Sequence, residues 1–128
     1  LAFDTVRLNR EFECNDRNAY AFTPFHGTPL RDECERLGFL EDSDIVRSMV
    51  TDGTPLDMPQ FPRVQVLSLV KTFNMYVHFE EERWPEIQLA EHDTPEGRAK
   101  YDELKDEFVA RFWAQETSTS FEDASLAV

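Results

Sequence analysis

Glycine is scarce, with four in 128 residues. They stand at 27, 38, 53 and 97, too far apart for a glycine-rich loop that cradles phosphates, and no such motif occurs. Cysteine is scarcer still. Cys14 and Cys34 cannot build a disulfide framework, and a reduced, cytoplasmic setting is expected. Basic residues are outnumbered, 13 against 26 acidic, for a net charge of -13. Phosphate backbones would be repelled, so neither nucleic acid nor an anionic membrane is expected as a direct partner. No run approaches the ~20 apolar residues of a membrane-spanning helix. No basic start followed by an apolar centre marks a secretory leader. Leu1 stands where an initiator methionine would, which fits a trimmed or processed piece of a longer chain.

Hydrophobic residues make up 41% of the chain, and 11 are phenylalanine, enough for a real core. Phe3 to Phe12 has helical spacing with no breaker, and Val6 and Leu8 flank its expected buried side. Cys14 to Asn18 is polar and turn-rich. Ala19-Tyr20-Ala21-Phe22-Thr23 is apolar on both faces, as a buried parallel strand is. It ends at Pro24, turns through His26-Gly27 and leads into a helix capped by Thr28 with Pro29 at its first position. Leu30, Cys34 and Leu37 form the expected buried stripe, and Gly38 the stop.

Residues 39–62 form a long connection, with a short helix expected to start at Asp42 to Ile45 and turn chemistry at Gly53-Thr54-Pro55-Leu56. Pro62 to Phe79 is the strongest helix, with Val66, Val70, Phe73 and Val77 on one stripe. Trp84-Pro85-Glu86-Ile87 starts another. Thr94-Pro95-Glu96 caps a last helix carrying Tyr101, Leu104, Phe108 and Phe112. The Ser/Thr-rich end lacks periodicity and reads as a frayed tail. The expected fold is mostly α with a minor β element. It divides into residues 1–38, a helical region 39–115 and a tail 116–128.

Three segments together carry a resemblance. Thr23-Pro24-Phe25-His26-Gly27-Thr28-Pro29-Leu30 resembles the "(T)PYPGTPL" segment near the end of radical S-adenosylmethionine enzymes, above all those with a cobalamin-binding domain. Met58-Pro59-Gln60, followed by Lys71-Thr72-Phe73-Asn74-Met75-Tyr76-Val77, resembles their "MPQ … RTFNLYV" stretch, and Trp84-Pro85-Glu86-Ile87 continues it. The cluster-binding CxxxCxxC of that family has no match here.

The resemblance implies the last strand–helix portion of a partial (β/α) barrel with a C-terminal helical extension. The chain would hold no cofactor, metal or catalytic residue itself. The 4Fe–4S cluster and S-adenosylmethionine, with cobalamin as a further candidate, would belong to the rest of the parent enzyme, which is the expected partner. Thr23, Phe25 and His26 would line the cofactor and substrate pocket.

Each of these three has a plainer account. Thr23 could simply end the strand, Phe25 could be one more core aromatic, and His26 could be a turn residue before Gly27. His26 could equally donate a hydrogen bond or relay a proton. His78 beside Glu80 to Glu82 has no spacing that suits a closed metal site, and His92 reads as a surface loop residue. The competing reading of the whole chain is a self-contained acidic helical module that binds a protein partner.

Overall fold

The computed structural model describes residues 2–13, 17–48 and 52–113. Of these, 58% are helical. The helices are α1 (Ala2–Arg10), α2 (Pro29–Arg36), α3 (Arg63–His78), α4 (Trp84–Ala90) and α5 (Pro95–Phe108). A 3₁₀ turn, Glu81–Arg83, leads into α4, and a π turn, Val109–Trp113, ends α5. Among the described residues the β structure is one isolated antiparallel bridge, Met58 to Phe61. None of the described helices is long and apolar enough to cross a membrane. The expected tail and Cys14 lie outside the described residues.

The chain forms two compact units, one of residues 1–17 and 72–128, the other of residues 18–71. The first is closed by aromatic edges. Phe3, Tyr76 and Trp84 meet in a trio, with Tyr76 edge-on to both Phe3 (5.1 Å) and Trp84 (5.5 Å). That geometry sets a ring's positive rim against a neighbour's negative face. A second group joins Phe79, Phe108 and Phe112, with the Arg83 guanidinium 4.8 Å above the Phe79 ring. Ile87, Ala90 and Leu104 are buried where α4 meets α5. Gly97 permits that approach, because a Cβ there would collide with the carbonyl oxygens of His92 and Leu89.

The polar ends of this unit are also satisfied. Arg10 donates to the Tyr76, Val77 and Phe79 carbonyl oxygens at 2.8, 3.0 and 2.6 Å. It thus caps the C-terminal end of α3, where carbonyls lack helical partners and a cation is favoured. The Thr94 hydroxyl accepts the Gly97 N–H at 3.0 Å, as the cap signature predicts. Val6 is buried as expected, while Leu8 is exposed.

The second unit has a much smaller core of Cys34, Leu40 and Leu56, with Phe39 packed against it. Thr28 caps α2 by accepting the Arg31 N–H at 3.3 Å. The helix ends in a Schellman motif. Gly38 has a positive φ of 71°, Gly38 N–H donates to Glu35 and Phe39 N–H to Cys34, each at 2.9 Å.

This reversal brings the following chain back over α2 and overturns the expected stripe. Cys34 is buried, but Leu30 and Leu37 are exposed, and Arg31 takes the interior position at 1% exposure. In the sequence a guanidinium on a short helix reads as solvent-facing. Here the returning backbone supplies carbonyl oxygens that it satisfies.

Residues 17–25 form no strand, and no second strand among the described residues offers a ladder. Their burial still alternates as on a strand. Ala21 and Thr23 face inward, while Tyr20 and Phe22 are 55% and 56% exposed. Residues 42–45 are not helical either. Asp44 accepts the Glu41 N–H at 2.9 Å, a local turn that competes with a helix start. Along α3 the expected stripe is buried only at Val77. Val66, Val70 and Phe73 are half-buried, and the buried residues are Thr72, Met75, Tyr76 and Val77.

Candidate functional site

The three residues singled out around the end of the 19–23 segment have different surroundings. Thr23 is buried, and its hydroxyl donates to the Gly53 carbonyl at 3.1 Å and, less closely, to that of Ala21 at 3.3 Å. In return the Thr54 hydroxyl donates to the Phe22 carbonyl at 2.7 Å and accepts the Leu56 N–H at 3.2 Å. The second Gly-Thr-Pro-Leu therefore clamps the chain at Phe22 and Thr23, whereas the first starts a helix. Gly53 needs its positive φ of 71°, and a Cβ there would press on the Leu67 side chain. Phe25 is exposed.

His26 is exposed and does not stand alone. Gly27, at φ 79°, turns the chain into α2. Glu35 lies in the last turn of α2, and Asp42 follows the Schellman reversal. The ligand atoms of His26, Glu35 and Asp42 all lie within 4.8 Å of one another. Arg31 braces this group from below. Its Nε donates to the Glu35 carboxylate and its Nη2 to the Glu41 carbonyl at 2.9 Å, with a longer contact to that of Asp42 at 3.4 Å. Nearly complete burial fixes the guanidinium in this position.

Sequence reasoning picked out His26 but missed Glu35, Asp42 and Arg31. Their spacing, nine and then seven positions, matches no ligand motif, and only the reversal at Gly38 brings them together. The other histidines are placed differently. His78 packs edge-on to Phe108 at 5.3 Å and tilted to Phe112 at 5.1 Å, and its Nε2 lies 3.1 Å from Arg17 Nη1. It belongs to the aromatic core of its unit rather than to a carboxylate cluster. His92 is exposed.

A four-iron cluster requires several converging thiolates. Among the described residues Cys34 is the free thiol, buried against Leu40 and Leu56, which does not fit such a cluster. No family model, curated protein or solved structure matches the chain.

Proposed function

We propose that this chain is the C-terminal part of a radical S-adenosylmethionine iron–sulfur enzyme of oxidoreductase or methyltransferase type. It would contribute pocket wall and a helical cap, with the cluster and the adenosyl cofactor held by the remainder of the parent. The reading rests on the three sequence segments that resemble that family. One structural observation favours it: residues 19–23 alternate in burial as a strand does and keep Tyr20 and Phe22 exposed, with no neighbouring strand among the described residues.

A strand edge of that kind is a template for pairing, and a barrel's preceding strand is its natural occupant. Thr23, Phe25 and His26 stand at the end of that segment, where barrel enzymes carry their sites. In this reading Thr23 acts through backbone positioning, since its hydroxyl is already engaged by protein carbonyls. Phe25 and His26 are the residues free to face a ligand. The isolated chain is expected to be catalytically silent.

The coding DNA upstream of Leu1 tests the proposal. An in-frame CxxxCxxC followed by alternating strand and helix patterns supports it, and a start codon directly before Leu1 overturns it.

The alternative, a self-contained acidic helical module, draws on the closed aromatic core of residues 72–113. It predicts a monomer that unfolds in one cooperative transition and binds no hydrophobic dye. The fragment reading predicts dye binding or self-association through the exposed apolar residues of 18–71.

A further inference from the structure

We propose that His26, Glu35 and Asp42 form a binding site for a divalent first-row transition ion, with zinc as the ion that fits best. The inference is independent of the radical S-adenosylmethionine reading. One imidazole nitrogen and two carboxylate oxygens make a borderline donor set, which suits zinc and its first-row neighbours. Calcium and magnesium prefer all-oxygen shells, so the histidine argues against them. Zinc bonds of about 2.0–2.2 Å set tetrahedral donors roughly 3.3–3.6 Å apart. The three ligand atoms already lie within 4.8 Å of one another, so small side-chain adjustments would bring them to that spacing.

The group is more than a chance meeting of surface acids. An imidazole joins it from a turn fixed by Gly27 at φ 79°, and the two carboxylates arrive from opposite sides of the reversal at Gly38. Behind them lies a nearly fully buried arginine, which bonds the Glu35 carboxylate and the backbone carbonyls of Glu41 and Asp42. Outer partners of this kind orient ligands and hold them in place before a metal arrives. Arg31 leaves its Nη1 buried without a partner, so the guanidinium is kept there for the bonds made by its other two nitrogens.

Charge sets the character of the site. Two carboxylates balance a divalent ion, but the Arg31 cation competes for Glu35 and weakens the hold. With three protein ligands and exposure to solvent, at least one coordination position stays open to water. The site is therefore of the open, exchangeable type rather than a closed structural centre.

The test is calorimetric titration of zinc ion alone into the chain and three variants. His26 is exposed, so His26→Ala should fold, as far-ultraviolet circular dichroism would verify. The wild-type chain should bind one zinc. His26→Ala should lose that binding, and Asp42→Asn should weaken it about tenfold or more. His92→Ala, which removes an exposed histidine elsewhere, should leave it unchanged. No zinc uptake by the wild type, or equal uptake by His26→Ala, overturns the proposal. Equal uptake would mean that the acidic surface collects the ion diffusely.

Discussion

The unit formed by residues 1–17 and 72–113 and the unit formed by residues 18–71 solve the same problem unequally. The first buries large aromatic side chains edge to face, caps α3 with Arg10 and ties α5 to the turn before α4 through ion pairs. The second closes on Cys34, Leu40 and Leu56, and leaves Tyr20, Phe22, Phe25, Leu30, Leu37 and Val64 exposed. Apolar area removed from water is the main stabilising term of folding, at about 25 cal/mol per Å². The first unit also exposes Leu8, Phe12, Val109 and Trp113, but it buries the larger aromatic core, so the contrast is one of degree. The smaller core makes residues 18–71 the less self-sufficient of the two units.

The contrast predicts effects of different size. Trp84→Ala removes the centre of the aromatic trio and should cost about 3–5 kcal/mol in chemical denaturation, enough to unfold its unit at moderate denaturant. A loss under 1 kcal/mol would mean that the trio is not the keystone of that unit.

Arg31→Ala strikes the smaller unit. It leaves the Glu41 and Asp42 carbonyls without their buried donor and should cost about 2–3 kcal/mol. Limited proteolysis should then cut within residues 39–48 before residues 84–104. If both regions are cut together, the units are not independent.

Acid should weaken the larger unit modestly. Hydrogen bonds from Arg111 hold the Glu80 carboxyl below its ordinary value, and those from Arg83 do the same for Glu86. Arg83 and then Arg111 lower Glu107 in the same way. Carboxyls lowered by folding contribute stability that is fully present above their ordinary value of 4.5 and is lost as pH falls through the lowered values. All three are solvent-screened, so the effect is small. Thermal melts between pH 6 and pH 3 should show the loss only below about 4.5, and Glu107→Gln should reduce it.

The smallest effect on stability is expected where exposure is greatest. Tyr20→Ser and Phe22→Ser together should change stability by no more than about 0.5 kcal/mol per site. They should nonetheless abolish most hydrophobic-dye binding. A large loss of stability would show that these rings are already covered.

Much of this was legible in the sequence, wherever the signal was local. Thr28 and Thr94 each followed by proline mark helix starts that the structure reproduces with cap hydrogen bonds. The aromatic spacing of 101–112 and the Gly38 stop were equally clear. What could not be read was non-local. The Ala19 to Thr23 segment has the composition of a strand, but strand structure needs a partner, which composition does not supply. Arg31 was hidden because a guanidinium in a short helix looks like surface until carbonyls 10 and 11 residues on return to meet it. The same reversal creates the His26, Glu35 and Asp42 group, so no spacing along the chain announces it. The two units are also interleaved in sequence, which no local signal announces.

Native-state hydrogen exchange tests the central contrast most directly. Amides of Met75 to Phe79, of Ile87 to Ala90 and around Leu104 should exchange only through the largest opening of the molecule. Amides of α2 and of residues 53–56 should open at a free energy several kcal/mol lower. A single shared opening energy across both sets would contradict the account, because residues 18–71 would then be as finished as the unit with the aromatic core.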